Sequence, residues 1–166
     1  MDMKQPFEKL VALYGATVLR VCRAVVGLED AEDVWQETFI AALRAYPELP
    51  PDANVEAWLV TIAHRKSLDA VKAVRRRAVP VPEVPESPST HGIPDDERTG
   101  DGIWRTVARL PDKQRQVIAY RYLADLPFND IAAIVGGSPA AARRAASDGI
   151  KSLRAAAAAG SKGETA

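Results

Sequence analysis

Residues 78–102, AVPVPEVPESPSTHGIPDDERTGDG, hold five of the chain's twelve prolines together with six acidic residues. Proline lacks a backbone donor, and a stretch so poor in large apolar side chains cannot offset its own ordering entropy. The segment therefore predicts a flexible, extended acidic linker, and it divides the remainder of the chain. Two small units must fold on either side of it, at 1–77 and 103–158, and the low-complexity end at 159–166 predicts a disordered tail.

Both units read as helical. Phe7, Leu10, Val11, Tyr14, Val18, Val21, Cys22 and Val25 recur at steps of three and four, the apolar stripe of one amphipathic helix that Gly27 ends. A second helix is predicted from about Asp30 to Tyr46. Its inward residues would be Val34, Trp35, Thr38, Phe39, Ala42 and Leu43, and its acidic first turn suits the helix dipole. Pro47, Pro50 and Pro51 force a break before a third helix running from near Asn54 to the basic run Arg75-Arg76-Arg77. The C-terminal unit predicts helical pieces at 102–110, 112–123, 127–135 and 139–158. Gly136-Gly137-Ser138 joins the last two, and a short glycine turn between helices is the mark of a helix-turn-helix. Ser138 suits an N-cap and Pro139 a first turn. Ile131, Ala132, Val135 and Ile150 would fill the motif's core. No period-two strand pattern occurs, so the predicted fold class is all-α.

The formal charge is zero, from 22 basic and 22 acidic side chains. By segment the balance is −5 over 1–60, +5 over 61–77, −5 over 78–102 and +5 over 103–166. A sum that hides four alternating blocks does not argue against a nucleic-acid partner. The single cysteine, Cys22, forms no internal disulfide, and with His64 and His91 it offers too few ligands for structural zinc. Neither a signal peptide nor a membrane-spanning run appears, so a cytoplasmic protein is expected. With no phosphate-cradling glycine loop and no nucleophile beside a base, neither catalysis nor a cofactor is expected.

Two basic groups remain. Arg65, Lys66, Lys72, Arg75, Arg76 and Arg77 lie on the third helix with Trp58 and His64; a solvated helix end is the bland account, and phosphate contact the sharper one. Ala140, Ala141, Arg143, Arg144 and Ser147 lie early on the last helix, where a helix-turn-helix meets base edges. The bland account there is an alanine-rich surface helix.

Two stretches carry a family resemblance. DAEDVWQETFIAALRAY (30–46) with AWLVTIAHRKSLDAVKAVRRR (57–77) resembles the polymerase- and promoter-binding domain of bacterial sigma factors. RLPDKQRQVIAYRYLADLPFNDIAAIVGGSPAAARRAASDGIKSLR (109–154) resembles their C-terminal helix-turn-helix domain. Their order and the acidic linker between them are similar to the extracytoplasmic-function (ECF) class. The resemblance implies a non-catalytic polymerase subunit. Asp33, Gln36, Glu37, Ile40 and Arg44 would dock on the clamp helices of the largest polymerase subunit. The Pro47–Val55 loop and the helix after it would capture the −10 element, through Asn54, Trp58, His64, Arg65, Lys66, Lys72, Arg75, Arg76 and Arg77. Ser138, Ala140, Ala141, Arg143, Arg144 and Ser147 would read the −35 element while their domain touches the polymerase flap. The linker would thread toward the RNA exit path. An anti-sigma factor is a further partner common in the family.

Four positions depart from the family's pattern. Arg65 stands where Asn is usual, and Pro127 replaces a capping Ser or Thr. Asp148 and Gly149 occupy positions that usually favour basic or helix-forming residues, with a cost of about 1 kcal/mol for a mid-helix glycine. Two alternatives stay open on sequence alone: a stand-alone helix-turn-helix regulator, or a sigma-like polymerase-binding protein with weakened promoter recognition.

Overall fold

A computed structural model describes residues 4–77 and 100–162, and among the described residues helices are joined by short turns and loops with no strand. The N-terminal unit holds α1 (Phe7–Val26), α2 (Ala31–Ala45) and α3 (Val55–Arg77). The C-terminal unit holds α4 (Gly100–Ala108), α5 (Asp112–Ile118), α6 (Phe128–Val135) and α7 (Pro139–Lys162). A π-helical turn at Ala119–Leu123 continues α5. The expected linker lies largely outside the described residues.

Local chemistry sets the boundaries. Gly27 ends α1 at φ +90°, with its N–H on the Arg23 carbonyl at 3.1 Å. Such a φ is open to glycine and strained for residues with a Cβ. Asn54 starts α3, its side-chain oxygen accepting the Ala57 N–H at 3.1 Å. Ser138 starts α7 in the same way, accepting the Ala141 N–H at 3.1 Å. Between α6 and α7, Gly136 and Gly137 both adopt positive φ, at 88° and 87°. Pro127 precedes α6 without a side-chain cap. The last helix runs further than expected: α7 is regular through Lys162, so residues 159–162 are helix rather than tail.

One apolar cluster belongs to the N-terminal unit, formed by Val18, Cys22, Ala31, Val34, Phe39, Ala42, Leu59 and Ala63. The other crosses between units. Val21, Ala24, Val25 and Val60 join Val107, Val117, Tyr120, Leu126 and Ile131 in it. Two polar contacts reinforce the junction: Arg115 Nε donates to the Val25 carbonyl at 3.0 Å, and His64 Nδ1 meets the Tyr120 hydroxyl at 2.6 Å. The two helical units are thus separate in sequence but joined through a shared core. The cause lies in α1, whose apolar arc is wider than α2 and α3 cover.

Two packing expectations need correction. Leu43 was placed inward by periodicity and is 54 % exposed. Gly149, expected only as a weak point in a helix, also sits at a close approach. A Cβ there would lie 2.2 Å from Ile118 Cδ1, so a larger residue needs the end of Ile118 to shift where α7 meets α5.

Candidate polymerase and nucleic-acid interface

On α2, residues 33, 36, 37, 40 and 44 fall within one arc at 100° per residue. Asp33, Gln36, Glu37, Ile40 and Arg44 are all exposed there. Val34, Thr38, Phe39 and Ala42 hold the opposite side in the core. Trp35 fixes the helix against α1, donating its indole N–H to the Gly15 carbonyl at 2.8 Å. Leu43 shares the exposed arc with Ile40, so this face presents two bare aliphatic side chains among polar ones. Sequence reasoning missed Leu43 because its spacing from Phe39 also fits the buried stripe.

The basic residues of α3 do not act as one patch. At helical spacing, Trp58, Arg65, Lys72 and Arg76 align on one stripe, away from buried Val60, Ala63 and Ser67. Arg65, Lys72, Arg75, Arg76 and Arg77 are exposed, and Lys66 and Trp58 are half-buried. Asn54 is exposed, but its side-chain oxygen is already engaged as the α3 cap. His64 differs from the others. It is 7 % exposed and faces Tyr120 of the other unit, not solvent. Burial first, and the Arg65 charge second, push its pKa below the ordinary histidine value. Burial pushes the Tyr120 phenol well above its ordinary range. The phenol therefore keeps its proton and the imidazole is neutral, so the two share one hydrogen bond between uncharged partners, its direction set by the histidine tautomer. Close to this junction, burial and the Asp125 carboxylate raise the pKa of Glu56.

The loop between α2 and α3 is held from both sides. It begins with a short 3₁₀ turn, Tyr46–Glu48. The Tyr46 and Trp58 rings approach to 6.4 Å across its base. Lys4 places its ammonium on the carbonyls of Tyr46, Pro47 and Leu49, the last at 2.7 Å.

On the helix-turn-helix, Ser138, Ala140, Arg143, Arg144 and Ser147 are exposed and Ala141 is half-buried. Ala142 and Ala146 anchor the inner side of α7. An open groove of about 450 Å³ runs beside these residues, lined by Tyr122, Phe128, Arg143, Ser147, Lys151 and Arg154 among others. The Phe128 ring lies under two guanidinium groups, with Arg121 Cζ at 4.7 Å and Arg143 Cζ at 5.5 Å from its centroid. Among the described residues the only ion pair is Arg115–Asp112 at 2.8 Å, so no cation of the α7 face pairs with a described carboxylate. Tyr122, Phe128 and Lys151 were not singled out by sequence; Lys151 follows Arg143 and Ser147 at four-residue steps on α7 itself, and only three-dimensional proximity brings Tyr122 and Phe128 to that face.

Among the described residues no cluster of His, Cys, Asp or Glu could hold a metal ion. No helix there is long and apolar enough to cross a membrane. Burial pushes the Cys22 thiol up to about 12, so the chain's one cysteine is a core residue without thiolate character.

Comparison with known proteins agrees with this geometry. The family model for sigma-70 region 2 matches residues 10–77, and that for sigma-70 region 4 matches residues 101–153. These two regions in this order define a sigma-70-type transcription initiation factor. The ECF RNA polymerase sigma factor ShbA of Streptomyces griseus is 31% identical, over 91% of this chain and 87% of its own length. The ECF sigma factor SigD of Mycobacterium tuberculosis is 32% identical, over 82% of this chain and 70% of its own. The chain belongs to the ECF class of RNA polymerase sigma factors, and it directs promoter-specific transcription initiation. Two solved structures share the fold. One is RpoE from Bartonella quintana bound to the anti-sigma factor NepR, with TM-score 0.72, 20% identity and coverage of 90% and 95% of the two chains. The other is CnrH in complex with the cytosolic domain of CnrY, with TM-score 0.65, 24% identity and coverage of 92% and 88%. Nothing in these matches favours a stand-alone regulator or a sigma-like protein without promoter recognition.

Proposed function

We propose a division of labour in which α2 docks the chain on core polymerase, the α2–α3 loop and α3 take the −10 element, and α7 reads the −35 element. The observation that carries it is the separation of faces. Asp33, Gln36, Glu37, Ile40, Leu43 and Arg44 form a mixed apolar and polar face on α2, suited to a protein partner. The cations of α3 and α7 stand on other helices, in no ion pair among the described residues, and are suited to phosphates. On α3, Trp58 on the same stripe as Arg65 and Lys72 offers the aromatic and cationic groups that a single strand needs. On α7, Arg143 and Arg144 lie early enough to reach base edges or phosphates, and Ser138 and Ala140 let the duplex approach closely.

Both elements can be held at once only if the two units part. By their names the elements are about 25 base pairs apart, roughly 85 Å at 3.4 Å per step. Units of this size have radii of gyration near 11 Å, so the joined arrangement falls well short of that distance. The 22 residues between Arg77 and Gly100 supply up to about 75 Å of extended chain. His64 joins the −10 contacts in this reading only after Tyr120 withdraws. Further proposed contacts are the polymerase flap, touched by the C-terminal unit, and an anti-sigma factor. The chain acts as a specificity subunit, with catalysis left to the polymerase, and works in the cytoplasm.

Transcription in vitro with core polymerase on a promoter library tests the division. Glu37→Lys should lower polymerase affinity about tenfold and leave open-complex formation by the assembled holoenzyme intact. Reversing charge at Arg75, Arg76 and Arg77 should do the opposite. Equal loss of polymerase affinity in both variants refutes it.

A further inference from the structure

The α2–α3 loop follows the last turn of α2, where carbonyl groups have lost their helical partners. Here one side chain from far away in sequence collects them. Lys4 Nζ lies on the Tyr46 carbonyl, at 3.2 Å from the Pro47 carbonyl and at 2.7 Å from the Leu49 carbonyl. The same ammonium sits over the Tyr46 ring, 4.6 Å from its centroid. The Tyr46 hydroxyl donates back to the Gln5 carbonyl. Phe7 closes the other edge, with its ring 5.6 Å from Tyr46 and 6.3 Å from Phe39. Tyr46 then meets Trp58 at 6.4 Å, on the far side of the loop.

Tyr46 is therefore a hub. Lys4, Gln5 and Phe7 grip it from the N-terminal segment, and its ring braces Trp58 at the start of α3. An exposed lysine bonded to three carbonyls within the four residues 46–49 adds little to a hydrophobic core. It fixes the direction in which the chain leaves α2, and so the placement of Pro50–Asn54.

We propose that Lys4 and Tyr46 are positioning residues for promoter discrimination. The clasp they form sets the geometry with which the α2–α3 loop receives a −10 base. The assignment rests on the reading of that loop as the −10 reader. Neither residue need touch DNA. A loop held in its receiving shape loses less freedom on binding, and it penalises an ill-fitting base more heavily.

The test uses the full chain assembled with core polymerase, on a promoter that the wild-type holoenzyme selects and on derivatives changed at single −10 positions. Lys4→Met keeps the aliphatic stem and removes the ammonium. We expect it to narrow discrimination between the matched and mismatched −10 bases by about three- to tenfold. Polymerase affinity and the response to −35 substitutions should match wild type. Lys4→Arg, which can still donate to the same carbonyls, should restore most of the discrimination. Tyr46→Phe, which keeps the ring and loses the bond to Gln5, should fall between. A Lys4→Met holoenzyme with wild-type −10 discrimination overturns the proposal. So does a variant that weakens all promoters equally along with polymerase binding, because that is the signature of a damaged fold. If the wild-type holoenzyme itself shows no −10 preference, the reading of the loop fails and the clasp assignment falls with it.

Discussion

Replacing Tyr120 by Phe isolates the polar contribution to the junction between the two units. Tyr120 is fully buried, and its hydroxyl meets His64 Nδ1 at 2.6 Å. Phenylalanine keeps the ring and opens no large cavity, so the cost comes from the hydrogen bond. With the hydroxyl gone, Nδ1 of a histidine only 7 % exposed is left without its hydrogen-bond partner. An unsatisfied buried polar group costs about 1–3 kcal/mol. For a chain of this length that corresponds to a fall in melting temperature of about 2–12 °C. Chemical denaturation gives the free energy. Energy transfer between dyes on Glu8→Cys and Ser152→Cys, both exposed sites in different units, reports whether the units stay together. The expected result for Tyr120→Phe is a lower denaturant midpoint with a widened distance distribution. The double variant His64→Leu/Tyr120→Phe removes both partners and should recover most of the loss, since no orphan group remains. If Tyr120→Phe leaves midpoint and distances at wild-type values, the apolar cluster alone holds the junction and the argument fails.

Two more outcomes are expected. His64 has a lowered pKa, so its contribution to the joined state is complete above its free value near 6.5 and is lost as pH falls through the lowered one. Glu56, raised by burial and by Asp125, acts in the opposite sense. The difference in stability between wild type and His64→Gln, measured from pH 7.5 to 5, should therefore shrink on acidification; a constant difference contradicts the assignment of a neutral buried imidazole. Gly149→Ala should destabilise the chain by about 1–3 kcal/mol through overpacking on Ile118, despite alanine's better helix propensity. A more stable variant in thermal denaturation would show that Ile118 can move aside.

Much of the helical layout was legible because its determinants are local. Gly27, Asn54, Gly136 and Ser138 each act within a few residues, and their spacing from the apolar stripes is visible in one dimension. The exposed α2 face was legible as well, apart from Leu43, whose place in the heptad-like spacing fits either side of the helix edge. What could not be read was anything requiring two distant segments. His64 sits in a basic run, and only the approach of Tyr120, 56 positions later, turns it inward. Lys4 has no local partner, and its role depends on carbonyls more than 40 positions away. The shared core was hidden for the same reason: Val21, Ala24 and Val25 complete a plausible stripe for a helix within one unit.

Helix α7 has two faces under different rules. On one, Ala140, Arg144 and Ser147 are exposed, and Arg143 reaches only as far as the Phe128 ring. On the other, Ala142, Ala146 and Gly149 seat the helix against its own domain, with Gly149 against the end of Ile118. If α7 reads DNA as proposed, substitutions at Ala140, Arg144 and Ser147 would change the sequence preference with little penalty in folding. A descendant of this chain could acquire a new target sequence through a few surface replacements in the first three turns of α7. The seat of the helix would be inherited unchanged, and retargeting by design could follow the same boundary.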